Sequence, residues 1–178
     1  IVTDFAPDAV LVWLDVTPGG ELAASAAGLI GAAASIGTPV VLLVADESRH
    51  ADLAAAAGSL GASTVLTAGL GGADSALTVP IVDAVVAASA LVKPDAVLIS
   101  NSIEGRDVAG RFAARTSAAL CVDAVGVSRD DDGVLAQHSV YGGAYNVTAG
   151  ATYGPLVVTV RQGSIDARAE AVDAPTIV

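Results

Sequence analysis

The side chains best placed for binding lie in a polar stretch that follows an apolar strand. Asn101, Ser102, Gly105 and Arg106 come directly after the apolar run 96–99. In doubly wound folds the carboxyl ends of the strands are where ligands and partners bind. We therefore predict that these four residues form a rim that contacts a ligand or a partner protein.

Arg106, the cation of this rim, stands at a position that is unfavourable for a positive charge. It falls in the first turn of a predicted helix, where the helix dipole disfavours a positive charge unless an anion lies nearby. A ligand anion or a partner carboxylate would supply that negative charge. The other charges have a simpler interpretation as a solvated helix surface: Asp107 stands four residues before Arg111, the favourable order for an ion pair, and Arg115 continues that surface.

The glycine-rich run 69–74 follows a predicted strand and has some features of a nucleotide loop. The dinucleotide fingerprint G-x-G-x-x-G requires glycine where Asp74 stands, and it normally follows the first strand of the sheet. A P-loop is excluded because the single lysine, Lys93, ends a helix instead of following a glycine loop. We interpret 69–74 as a plain loop.

The remaining reactive side chains form no catalytic set. His50 and His138 lack a Ser or Cys and an acid in the arrangement that nucleophilic catalysis needs. Cys121 lies between Leu120 and Val122 in a predicted strand, so we expect a buried and inert thiol. A single cysteine also excludes an internal disulfide and a cysteine cluster for zinc. We expect this chain not to be an enzyme.

Charge and composition limit the possible partners. The chain of 178 residues has a formal net charge of −11, which argues against nucleic acid and anionic membranes. No apolar run reaches the roughly 18–20 residues of a membrane helix, and no basic-then-apolar signal segment opens the chain. We expect a cytoplasmic protein without membrane insertion.

Apolar strands alternate with helices over the first two thirds of the chain, which predicts a doubly wound α/β fold with a mostly parallel sheet. The strands are predicted at 8–16, 40–44, 63–67 and 96–99, and the helices at 21–36, 46–60 and 80–92, with a further helix after residue 102. Since the run 96–99 has no polar alternation, both of its faces should be covered.

The pattern changes after Val127. Residues 129–133 are predicted as a turn, and strand-like segments follow at 134–141, 145–149 and 156–161. In the last of these, we interpret residues 155–160 as fully apolar and expect them to return to the interior of the sheet. The two before it predict an antiparallel excursion at the sheet edge near 129–150. We assign no structure to the final seventeen residues.

Several of these segments together suggest a family. Residues 100–115, then Asp123–Val127, Val140–Gly143 and Val157–Ser164, resemble in order and spacing the N-terminal domain of the electron transfer flavoprotein alpha subunit. The similarity covers nearly the whole chain. Residues 144–148 depart from the family pattern.

The resemblance implies the adenine nucleotide alpha-hydrolase-like fold with parallel order 3-2-1-4-5. It also implies a domain at 1–165 and a linker at 166–178 toward a C-terminal domain that holds most of the FAD. Since the chain opens with Ile1 instead of Met, we expect a piece of a larger product. The Gly/Arg-rich segment with which the family holds FAD does not occur in this sequence, so we expect this piece not to bind FAD tightly.

The partners are also implied by the resemblance. They are an electron transfer flavoprotein beta subunit, which holds AMP, and acyl-CoA-type dehydrogenases of fatty acid beta-oxidation, which donate electrons to the complex. The electrons then pass to a membrane oxidoreductase. The predicted role of this domain is to act as a scaffold and to pair with the beta subunit.

The competing interpretation is a stand-alone adenine-nucleotide-binding module of the universal stress protein type. Such modules hold phosphates with glycines and a hydroxyl after the fourth strand. The residues that would weakly imitate that loop are Ser100, Asn101, Ser102 and Gly105. Glu104 and Asp107 would repel the phosphate. A hydrolase on the same fold ranks last because neither a phosphate loop nor a catalytic set is present.

Overall fold

The structure, a computed structural model, describes residues 4–70 and 78–178. Its strands in chain order are β1 (Ala9–Trp13), β2 (Thr38–Val44), β3 (Thr64–Ala68), β4 (Ala96–Ser100), β5 (Ala119–Ala124), β6 (Gly126–Asp130), β7 (Gly133–Val140), β8 (Tyr145–Gly150), β9 (Leu156–Val160) and β10 (Thr176–Ile177). Its α-helices are α1 (Ala26–Ile36), α2 (His50–Ser59), α3 (Val79–Val92) and α4 (Ile103–Thr116). The predicted α/β class is confirmed.

The central sheet has the order β10-β3-β2-β1-β4-β9-β5, and each neighbouring pair is parallel. The predicted order 3-2-1-4 is confirmed, and the position beside β4 is taken by β9, with β5 outside it. Burial gives the reason, because β9 is buried along its whole length whereas β5 alternates between partly covered and exposed residues. A strand that is apolar on both faces is most stable in the interior of a parallel sheet.

Both faces of the sheet are covered by helices and small side chains. Leu29 and Ile30 of α1 pack on one face, and Phe112 of α4 packs with Trp13 on the other. The prediction that both faces of the run 96–99 are covered is confirmed, since each residue of β4 is buried. None of the helices in the two described ranges is both long and apolar enough to cross a membrane.

Two predicted helices begin later in the chain than expected. The turn after β1 extends far enough for Val16 and Leu22 to form an antiparallel bridge, so α1 starts at Ala26 instead of residue 21. The helix predicted from residue 46 opens with a 3₁₀ turn, Glu47–Arg49, before α2. Of the glycine-rich run 69–74, residues 71–74 lie outside the described residues, so the plain-loop interpretation stays a prediction.

The predicted antiparallel excursion forms a small sheet of its own, with the order β6-β7-β8. It starts earlier than expected, because Arg129 and Asp130 belong to β6 and the turn is confined to Asp131 and Asp132. Val134 and Ala136 of β7 are buried in the core on the α1 side of the main sheet. The excursion therefore covers one face of the domain instead of extending the hydrogen-bonded edge.

The final segment was expected to lack structure, and that expectation is wrong for part of it. Its end forms β10, which pairs in parallel with β3. On the way it crosses α1 and α2, and the amide of Val172 donates to the carbonyl oxygen of Gly58 over 2.8 Å. A Cβ atom on Gly31 would lie 2.1 Å from the carbonyl oxygen of Ala167. Glycines in the two helices thus make room for a backbone that carries no apolar pattern of its own.

This close approach predicts different outcomes for two helical glycines. Gly31→Ala should lower the free energy of unfolding by about 1–3 kcal/mol, because the added methyl forces the segment away from α1. Gly110→Ala is the matched control: nothing lies within 4 Å of its Cβ position, so alanine should leave stability unchanged or raise it by up to about 1 kcal/mol. Urea unfolding of both variants tests this, and equal effects would contradict the packing described here.

Candidate ligand and partner rim

The turn that leads from β4 into α4 is held by Ser102 and Gly105. The Ser102 hydroxyl accepts a hydrogen bond from the amide of Gly105 over 2.9 Å, which makes Ser102 the N-cap of α4. A Cβ on Gly105 would lie 1.9 Å from the carbonyl oxygen of Ser100, so only glycine allows this approach. Two of the four predicted rim residues therefore shape the helix start.

Asn101, the third predicted rim residue, uses its side chain inside the protein. Its amide group donates to Asp123 Oδ1 over 2.8 Å, and its carbonyl oxygen accepts from the Thr159 hydroxyl over 2.9 Å. Its backbone amide donates to the carbonyl oxygen of Val160 over 2.8 Å. Asn101 thus ties the carboxyl end of β4 to those of β5 and β9.

Asp123 and Arg161 complete this network with a bidentate ion pair. The guanidinium donates through Nε to Oδ1 over 3.0 Å and through Nη2 to Oδ2 over 2.7 Å. These hydrogen bonds from Arg161, with smaller help from Asn101 and from the charge of Arg106, lower the pKa of the Asp123 carboxyl below its usual 3.8. Asp123 has a φ of 62° at a register shift in β5, which turns its carboxylate toward the arginine.

The network residues Asp123, Thr159 and Arg161 were not among the predicted site residues. Their signal in the sequence is a polar residue at or just beyond the end of an apolar strand, and Thr159 is the only hydroxyl within β9. That signal becomes informative only once β9 is known to lie between β4 and β5, which brings the three strand ends together.

Arg106, the fourth predicted rim residue, faces outward. It is exposed, and it forms no ion pair with any carboxylate in the ranges 4–70 and 78–178. The neighbouring charges behave as the simpler interpretation predicted: Arg111 Nε lies 2.9 Å from an Asp107 carboxylate oxygen, and Arg115 pairs with Asp83 of α3. Arg106 is therefore the rim cation that has no partner among the described residues.

A cavity of about 940 Å³ lies beside the rim, at the carboxyl ends of β1 and β2. Trp13 and Ile81 contribute apolar walls, and Glu104 and Asp107 of α4 contribute carboxylates. Burial raises the pKa of Glu104, and the charges of Asp15 and Asp107 raise it further. With Asp46, these carboxylates outnumber Arg49, the cation that also lines the cavity, and so they disfavour an anionic ligand.

These residues do not fit the phosphates of a tightly held dinucleotide. A phosphate site at a helix start needs free amide donors and no competing negative charge. Here the Ser102 hydroxyl already occupies one amide of the first turn of α4, and Glu104 lies in the same turn. Ser100 is fully buried, and its hydroxyl is 3.3 Å from the side-chain amide nitrogen of Gln162.

Neither the cysteine nor the two histidines are among the residues that line the rim cavity. Cys121 is only partly buried instead of buried as expected, because β5 is the edge strand; its burial nevertheless raises the pKa of the thiol. His50 Nε2 lies 3.0 Å from the carbonyl oxygen of Ala45, and His138 lies in β7. In the part of the chain described, no three His, Cys, Asp or Glu side chains are grouped to hold a metal ion.

Comparison with known proteins bears directly on this fold. The family model of the electron transfer flavoprotein domain matches residues 10–178. The electron transfer flavoprotein subunit alpha of Mycobacterium leprae is 35% identical over 149 residues, which cover 84% of this chain and 46% of that protein. The subunit of the same name from Mycobacterium tuberculosis strain H37Rv is 35% identical over 148 residues, 83% of this chain and 46% of its own length. The chain thus spans about half the length of these curated relatives.

The ion pair gives a pH-dependent prediction. Because the folded pKa of Asp123 is lowered, the pair stabilises the protein above pH 3.8 and that stabilisation is lost as the pH falls through the lower folded value. Asp123→Asn should therefore cost about 1 kcal/mol at pH 7, a value reduced by solvent screening of this half-exposed pair, and progressively less in more acidic solution. The exposed turn variant Asp131→Asn should change stability by less than about 0.5 kcal/mol. Urea unfolding across the acidic range checks this, and a deficit independent of pH would contradict it.

Proposed function

This chain belongs to the electron transfer flavoprotein family, and we propose that it is the scaffold and subunit-pairing domain of an alpha subunit. The complete heterodimer would carry electrons from flavin dehydrogenases to a membrane acceptor. The observation that best supports this proposal is that the polar side chains of Asn101 and Ser102 are hydrogen-bonded within the protein, while Arg106 faces outward. A surface of this kind suits contact with another protein better than capture of a small ligand.

In this proposal FAD belongs to the whole heterodimer and supplies the electron-accepting ring. The described residues contribute no phosphate site for it. Their role is to present a rigid edge, in which the network of Asn101, Asp123 and Arg161 fixes the ends of three strands. Residues 1–165 would form the domain, and 166–178 would lead toward the flavin-binding part. The beta subunit would hold AMP, acyl-CoA-type dehydrogenases would be the donors, and the complex would act in the cytoplasm.

A direct test is purification of the full gene product together with its companion subunit. The expected result is a two-subunit complex with the visible absorption bands of a bound flavin. A colourless product that retains no companion would contradict the proposal.

The alternative is a stand-alone adenine-nucleotide module, and the cavity beside the rim is the observation that favours it. The carboxylates of Glu104 and Asp107 at that cavity oppose a phosphate. We therefore expect calorimetric titration of the chain with AMP and with ATP to give no binding at micromolar nucleotide. Micromolar affinity for either nucleotide would favour the stress-protein type of function instead.

The outward cation gives a sharper prediction for pairing. Arg106→Glu should weaken association with the beta subunit about tenfold, because it replaces an attractive charge at the contact with a repulsive one. The melting temperature should not fall, since Arg106 has no ion pair among the described residues to lose.

Lys93→Glu is the matched control for that measurement. It makes the same change in net charge. Lys93, however, lies at the end of α3 just before β4, and so near the amino ends of the strands, opposite the rim. Calorimetry should find its affinity within about twofold of the unaltered chain. Equal affinities of the Arg106 and Lys93 variants would argue against a role for the rim in pairing.

A further inference from the structure

A long part of this acidic chain carries no charge. From Gly133 to Val160 there is no Asp, Glu, Lys or Arg, although the whole chain has a formal net charge of −11. The three tyrosines of the chain all fall in this stretch, and Tyr141, Tyr145 and Tyr153 are 84%, 64% and 81% exposed. Depletion of charge and enrichment in tyrosine are typical of the centre of protein interfaces.

Much of this stretch forms a hairpin, β7 and β8 with their connecting turn, which we call the arm (residues 133–150). β8 is an outer strand of its sheet, and nearly all of its residues are exposed. Natural proteins usually protect such an edge with charged residues or proline, because exposed backbone and apolar side chains promote association. The arm has neither, which indicates that another surface covers it.

One face of the arm continues the hydrophobic core beyond the body of the domain. Ala136 is fully buried, and alternation along β7 places His138 and Val140 on the same face. Their partners across the hairpin, Val147 and Tyr145, share that face. Exposure rises along it, to 36% at Val140, 47% at Val147 and 64% at Tyr145. The inner face of the arm, Val140, Tyr145 and Val147, is thus apolar toward its tip, with the half-buried His138 at its base. Its exposure shows that no element of the described chain covers the tip of this face.

The turn at the end of the arm is held in shape. Tyr141, Gly142 and Gly143 have positive φ angles, and the rings of Tyr141 and Tyr145 meet edge to face with their centroids 5.8 Å apart. Such a pair adds to the stability of the hairpin beyond its buried area. The arm therefore presents a formed surface to a partner.

The arm is also connected to the rim. Arg161, whose guanidinium pairs with Asp123, has its Nη2 3.5 Å from the carbonyl oxygen of Ser139 in β7. Asp123 in turn accepts from Asn101 of the rim. The arm and the rim are thus joined through Arg161 and Asp123.

We infer that the inner face of the arm is the docking surface for an uncharged, apolar patch of a different polypeptide, flanked by a carboxylate that meets Arg106. The identity of this polypeptide rests on the proposed function: it is the beta subunit. A second copy of this chain is a poorer occupant, because two chains of charge −11 repel each other and because Asp107 and Asp123 beside the rim are already engaged in ion pairs.

The test compares the two faces of β8 in the full chain mixed with the beta subunit. Val147→Lys places a charge on the inner face, and Thr148→Lys places the same charge on the opposite face of the same strand. Calorimetry should show at least tenfold weaker association for Val147→Lys and a change within twofold for Thr148→Lys. Tyr145→Ser, a milder change on the inner face, should also weaken association, and it keeps the test valid if Val147→Lys does not fold.

The outcomes separate this inference from the proposed function. Undiminished binding by folded inner-face variants, with the unaltered chain still binding, would overturn the docking surface and leave the pairing function standing. No binding by the unaltered chain would overturn the pairing function and with it the assigned occupant. Sedimentation of the chain alone as a dimer that Val147→Lys dissociates would show that a second copy is the occupant, which contradicts the inference.

Discussion

The position of β9 between β4 and β5 is the constraint on which the rest of the structure depends. The chain leaves the parallel sheet after β5, forms the small antiparallel sheet, and returns one place further inward. Because β9 is buried along its length and apolar except for Thr159, it covers the flank of β4 and leaves the more exposed β5 at the edge. The same insertion brings Thr159 and Arg161 between Asn101 and Asp123. The fold and the rim network therefore have a common cause.

The sequence predicts best those elements whose burial follows from the apolar character of their own residues. The run 96–99 is uniformly apolar, so its place inside a parallel sheet follows from local pattern alone. The return of 156–161 to the sheet interior follows in the same way. Its exact neighbours do not, because an apolar strand is equally suited to several interior positions. The choice depends on packing between distant segments, which no local pattern records.

The final residues illustrate the opposite case. They have no periodic apolar pattern of their own. They are ordered because glycines in α1 and α2, which have no side chain, let their backbone pack closely on the two helices. Ile165 reaches the core beside Gly28 of α1, and Ala169 reaches it beside Gly61, just after α2. A glycine in a helix ordinarily costs about 1 kcal/mol relative to alanine, so its presence at Gly31 and Gly58 is a signal for a close contact. The sequence does not say with which segment.

The rim shows why residue type alone overstates a ligand site. Asn101 and Ser102 have the hydroxyl and amide groups that bind phosphates, but in the structure these groups satisfy a helix start and join three strands. A buried polar group that loses its partner costs roughly 1–3 kcal/mol, so a ligand could recruit these atoms only by breaking the network that holds the strand ends. What remains exposed there is Arg106, which has no ion-pair partner among the described residues, and the apolar inner face of the arm. The polar side chains of Asn101 and Ser102 thus stabilise the strand ends and the helix start, while an arginine and apolar side chains face outward. This arrangement agrees with the proposed role as a scaffold for another protein.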